Sequence, residues 1–139
     1  MRILTTLSVM GCLFLASSPA STQTPSFPLT GHWQFIEDST VIEFLACSDA
    51  VCARVRGVPP KPVPGEKPPA CGLEVLMGLK PKGAHWVGEA LDHESNKRYR
   101  AKLQLGQKSG EMELVVSAMG GLISDTMPMT QAKDFKPCS

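Results

Sequence analysis

The sequence predicts an all-β domain, a small antiparallel up-and-down β-barrel of about eight strands. Three observations carry that prediction. After residue 30 the clearest apolar patterns recur every second residue, and no long window shows a 3.6-residue repeat. The apolar runs are short and are separated by Gly, Pro, Asp, Asn and Ser. The chain has 139 residues, 42% apolar and 19% charged, which suits one compact domain rather than two domains or a disordered chain. Closing such a sheet removes its sticky edges, and about eight strands is the size whose interior just holds side chains or one small ligand. A two-sheet sandwich is the alternative architecture.

Residues 1–20 have the layout of a secretory signal peptide. Arg2 precedes a mostly apolar run from Ile3 to Ala16, and Ser18 and Ala20 supply small residues before Ser21. The run is too short and too interrupted for a transmembrane segment, which needs about 20 apolar residues. Val9-Met10-Gly11-Cys12 offers a minor alternative, a lipoprotein anchored at Cys12. Met10 is unusual in such a box, and the apolar run continues beyond the cysteine. The expected destination is periplasmic or secreted. Residues 21–29 read as a flexible, proline-bearing lead-in, and residues 30–139 as the barrel.

Gly31 to Ile36 sets Trp33 and Phe35 on one face, with His32 and Gln34 on the other. Thr40 to Ala46 is rich in β-formers, including Val41, Ile42 and Phe44. Val51 to Arg56 opposes Val51, Ala53 and Val55 to Arg54 and Arg56. Leu73 to Leu79 and Ala84 to Leu91 are apolar runs bounded by Gly72, Pro81 and Gly83. Arg98 to Leu105 places Tyr99, Ala101, Leu103 and Leu105 opposite Arg98, Arg100, Lys102 and Gln104. Glu111 to Val116 turns Met112, Leu114 and Val116 away from Glu111 and Glu113. Leu122 to Thr130 closes the series, and Pro128 argues there for an edge or a bulge. The one long connection, Val58 to Ala70, contains six prolines and reads as a stiff, extended surface loop. Its other reading is a PxxP-like ligand for a partner's aromatic groove.

Lys plus Arg number 14 against 13 Asp plus Glu, a formal net charge of +1. No global field therefore draws the chain to nucleic acid or to an anionic membrane. Loss of residues 1–20 removes Arg2 and Cys12, which balances the charge and leaves Cys47, Cys52, Cys71 and Cys138. Four cysteines allow three pairings. Cys47 and Cys52 bracket a turn-like stretch and suit a hairpin end, leaving Cys71 to staple Cys138. A zinc site is the alternative, although the spacing is not that of paired knuckles and export favours oxidation.

The ordered pieces Gly31-His32-Trp33, Cys47 with Cys52, and Gly72-Leu73 running to Leu79 continue as Trp86-Val87-Gly88, Asp92 and Lys97. Tyr99-Arg100-Ala101-Lys102-Leu103 completes the set. Together they resemble the exported bacterial proteins of the domain of unknown function 2147 family, over about residues 30 to 131. The resemblance implies a lipocalin-like, calycin-type barrel in the bacterial envelope and brings no established activity. The chain departs from the family pattern in its proline-rich insertion and in Glu89, which stands where Gly is common. Met127 and Met129 stand where the family often has a Trp-containing segment.

No motif supports catalysis. His32, His85 and His93 form no HxH or HExxH spacing, which leaves surface or rim positions as their reading and no metal site. Asp92-His93-Glu94-Ser95-Asn96-Lys97 has the composition of a hairpin turn, and Ser117 and Ser124-Asp125 lack a G-x-S-x-G setting. Trp33, Phe35, Phe44, Trp86 and Tyr99 are the candidate ligand-binding residues, since inward aromatics either pack a core or line a mouth. Met112, Met119, Met127 and Met129 offer an adaptable wall. Arg54/Arg56 and Arg98/Arg100/Lys102 form one basic stripe only if their strands are neighbours. The expected function is a non-enzymatic, exported barrel that binds a small apolar or amphipathic ligand without a cofactor. The alternative is an envelope interaction module that acts through its outer surface and proline-rich loop.

Overall fold

A computed structural model describes residues 25, 27–59 and 64–138 of the chain. All eight expected runs appear as strands: β1 (Gly31–Phe35), β2 (Val41–Cys47), β3 (Ala50–Gly57), β4 (Glu74–Lys82), β5 (His85–Asp92), β6 (Lys97–Leu105), β7 (Glu111–Ala118) and β8 (Ile123–Gln131). Each strand pairs antiparallel with the next, and β8 returns to β1, so the barrel closes. Among the described residues the single helical piece is a 3-10 turn at Met119–Gly121.

The up-and-down order sorts the connections into two ends. The β1–β2, β3–β4, β5–β6 and β7–β8 connections gather at one end, called here the mouth. The β2–β3, β4–β5 and β6–β7 turns share the other end with the start of β1 and the finish of β8. Turn chemistry follows the sequence. Lys82 faces His85 across a two-residue turn whose Gly83 has φ +60°, a conformation that glycine adopts without steric cost.

The period-two pattern sends one apolar set inward. Ile42, Phe44, Ala53, Leu76, Leu79, Ala101, Leu103, Met112, Leu114 and Met129 make the buried core. Leu103 is fully buried, with Trp86 of β5 and Leu114 of β7 as its cross-strand partners. Gly88 is required by close approach. A Cβ there would stand 2.6 Å from the Met77 carbonyl oxygen and 2.9 Å from Leu79 Cδ2.

The segment read as a flexible lead-in at residues 21–29 becomes ordered at its end. Leu29 is buried and Phe27 packs against the core. The indole Nε1–H groups of Trp86 and Trp33 donate to the carbonyl oxygens of Phe27 (3.2 Å) and Thr30 (3.0 Å). Two apolar side chains and two hydrogen bonds thus seal the end opposite the mouth. Residues 21–24 and 26, like the expected signal peptide at 1–20, lie outside the described residues.

Both expected cysteine pairings are present, Cys47–Cys52 across the β2–β3 hairpin and Cys71–Cys138, each with Cα atoms 5.8 Å apart. The second ties the C-terminal tail to the outside of β1–β3. There the Cys138 N–H donates to the Arg56 carbonyl (2.7 Å), and the Phe135 ring lies 5.0 Å from that of His32. Val41 is buried on this outer face, close to Gly57 and Phe135.

Pro128 sits inside β8, opposite Glu113 of β7, in a sheet that closes. Its missing N–H is tolerated because β1 is short. The β1–β8 ladder runs only from Phe35↔Met129 to Trp33↔Gln131, and the Pro128 carbonyl accepts from Ile36 at its limit. The expected edge is therefore local, where β8 runs past the end of β1.

Candidate functional site

At the mouth the interior is not filled. A cavity of about 380 Å³ opens there, small within the rough range of 300–1,000 Å³ for ligand pockets. Its walls come from several strands. Leu76, Ala90 and Tyr99 form one cross-strand row over β4, β5 and β6, while Leu114↔Met127 and Val116↔Asp125 pair across β7 and β8. Phe35 completes the wall, and Pro69 contributes from the end of the proline-rich loop.

The rim is polar. Glu37 and Asp38 come from the β1–β2 connection, Asp92 and His93 from the end of β5 and its turn, and Asp125 from β8. The expected turn at Asp92–Lys97 is formed, with the Asn96 N–H donating to the Asp92 carbonyl (2.8 Å). The Asp92 carboxylate accepts from Ser95 Oγ (2.8 Å) and from the Glu94 N–H (3.0 Å). The Ser95 hydroxyl, then the Glu94 amide, holds the Asp92 carboxyl below the usual carboxylate value. His93 Nε2 donates to the Lys67 carbonyl and the Lys67 N–H donates to Glu94, so this turn clasps the described end of the proline-rich loop. Residues 60–63 of that loop lie outside the described residues.

The five aromatic candidates separate along the barrel axis. Phe35 and Tyr99 line the cavity. Trp33 and Trp86 stand at the opposite end against Thr30 and Phe27, and Phe44 is buried in the packed core. The methionines divide in the same way. Met127 is on the cavity wall, Met112 and Met129 are in the core, and Met119 is exposed on the β7–β8 turn. Among the acidic rim residues, Asp92 reads from the sequence as a turn former and Asp125 only as the neighbour of Ser124; Glu37 and Asp38 stand out by no motif, and Phe27 and Leu29 read only as lead-in.

Histidines do not converge. His32 Nε2 lies 2.8 Å from Glu43 on the outer wall, His85 begins β5 at the sealed end and His93 is at the mouth. Among the described residues no three His, Cys, Asp or Glu side chains are grouped to hold a metal ion. The basic strand faces do not merge either, because β4 and β5 separate β3 from β6. Arg56 pairs with Glu43 (3.4 Å), and Arg98 approaches Glu89 (3.8 Å) beside a shallow outer depression of about 630 Å³. That depression is larger than the mouth cavity but more open, and Lys82, Glu89, Arg98 and Arg100 stand among its lining, so it offers little water-excluded surface.

A family model described as "Uncharacterized protein conserved in bacteria (DUF2147)" matches residues 31–128. The chain belongs to the DUF2147 family. The match runs from the start of β1 to Pro128 of β8, and the closed barrel is consistent with a lipocalin-like description. Phe27–Leu29 at the sealed end and the tail carrying Cys138 fall outside the matched span. The departures from the DUF2147 pattern find places in the structure: Glu89 points outward toward Arg98, Met129 fills the core and Met127 lines the cavity. No curated protein matches the chain, and no solved structure matches it. Among the described residues no helix is long and apolar enough to cross a membrane.

Proposed function

We propose that this protein is an exported, non-catalytic barrel of the bacterial envelope that binds a small apolar or amphipathic molecule in its mouth cavity. The observation that carries this reading is the cavity itself, about 380 Å³ with an apolar floor and a polar rim at the one end of the barrel that is not sealed. Export is supported by the two cysteine pairs, since disulfides persist in oxidising compartments, and by the signal-peptide layout of residues 1–20. A binding rather than catalytic role is supported by the rim chemistry. In the Asp92–Lys97 turn the Ser95 hydroxyl donates to the Asp92 carboxylate, which also accepts from the Glu94 N–H.

The experiment is a titration with the neutral fluorophore N-phenyl-1-naphthylamine, whose emission rises in an apolar site. Saturable binding is expected for the native chain. Val116→Trp, which fills the cavity from a half-buried wall position, is expected to weaken it at least about tenfold while the barrel stays folded. Equal binding by the variant would place the probe elsewhere and remove the main support for this reading.

A further inference from the structure

We propose that the cavity selects amphiphiles with a cationic polar end, an alkylammonium or quaternary ammonium group, over anionic ones. The inference rests on the binding reading above and adds the charge of the ligand. Its basis is the distribution of charge around the opening. Glu37, Asp38, Asp92 and Asp125 all line the cavity and are brought together from three separate parts of the chain. Among the described residues no Lys or Arg lines it. Lys67, in the loop before β4, and Lys97, at the start of β6, are both at the mouth end, yet neither lines the cavity.

The apolar wall dictates where a charge can sit. Val75, Leu76, Ala90, Leu114, Val116 and Met127 give a buried ionic head no partner, so the alkyl part goes inward and the head stays at the rim. There an anionic head meets carboxylates, whereas an ammonium meets opposite charge. Asp92 keeps its negative charge with a margin at neutral pH, because Ser95 and the Glu94 amide stabilise the ionised form. A carboxylate accepts about four hydrogen bonds, so these two turn contacts leave it capacity for a ligand. Two aromatic residues, Phe35 and Tyr99, line the same cavity, and aromatic rings attract ammonium groups through their quadrupole. The acidic rim thus works together with an apolar cavity and its aromatic walls, which is the composition suited to a cationic amphiphile.

The test is displacement of the bound neutral fluorophore from the full chain by three ligands of equal chain length, the two ionic ones below their micellar concentrations and the alcohol below its solubility limit. Dodecyltrimethylammonium is expected to displace it at a concentration at least about tenfold lower than dodecanoate does, with dodecan-1-ol between them. The advantage is expected to shrink in about 0.5 M salt, which screens the rim. Glu37→Gln and Asp125→Asn together, both at exposed positions, are expected to reduce the ratio of dodecyltrimethylammonium to dodecanoate affinity several-fold. Dodecanoate binding as tightly as dodecyltrimethylammonium overturns the charge assignment and leaves the cavity reading standing. If the fluorophore and dodecan-1-ol also fail to bind, the cavity reading falls and takes this inference with it.

Discussion

Replacing Cys71 and Cys138 together by serine is expected to lower the unfolding free energy by about 4 kcal/mol, as read from urea denaturation. The bond closes a loop with a sequence separation of 67 residues, so in the chain-entropy account it removes much freedom from the unfolded ensemble. It also anchors the tail that lays Phe135 beside His32 and Gly57 and that gives the Cys138 N–H to Arg56. The Cys47–Cys52 bond, with a separation of 5, is expected to contribute about 2 kcal/mol by the same account. The ordering of the two is the informative result. A domain of this size has a total stability of roughly 5–15 kcal/mol, so loss of the longer bond leaves a protein near its unfolding threshold. Equal losses from the two double-serine variants would show that tail anchoring and loop length contribute little.

Leu103→Ala is the second large effect, with an expected loss of about 3–4 kcal/mol. Leu103 has no exposed surface and sits between Trp86 and Leu114, at the packed rather than the open part of the barrel. Its neighbours are held by a closed hydrogen-bonded sheet and cannot collapse into the space. The lost transfer energy and the cost of the new void therefore add. Val116→Ala, on the cavity wall, provides the contrast. It removes part of a half-buried side chain beside space that already exists, and the expected cost is about 1 kcal/mol. Similar losses at both positions in thermal or urea unfolding would contradict a barrel packed at one end and open at the other.

The strands and their faces were legible because alternation is a local property. Tyr99, Ala101 and Leu103 point inward simply because Arg98, Arg100 and Lys102 must point out. The cysteine pairing was legible for a related reason, since Cys47 and Cys52 bracket a hairpin turn and leave one other pair. Depth along the barrel axis was not legible. Period two says that Trp33, Phe35, Trp86 and Tyr99 share the interior, but strand tilt and stagger decide which pair meets the mouth. The sealed end was missed because Phe27 and Leu29 are embedded among prolines and hydroxyl residues. Their spacing of two, immediately before Gly31-His32-Trp33, was the available signal. The acidic rim needed topology as well, because Glu37, Asp38, Asp92 and Asp125 each look like ordinary turn or strand-end residues until closure brings them around one opening.

Whether a ligand enters the mouth is tested most directly by methyl NMR during titration with dodecan-1-ol. The cavity account predicts saturable shifts at Val75, Leu76, Ala90, Leu114, Val116 and Met127, with Leu103 and Met112 toward the sealed end unmoved. The absence of any saturable shift, or shifts confined to the exposed Met119 and Leu122 of the β7–β8 connection and Ile123 at the start of β8, would contradict it.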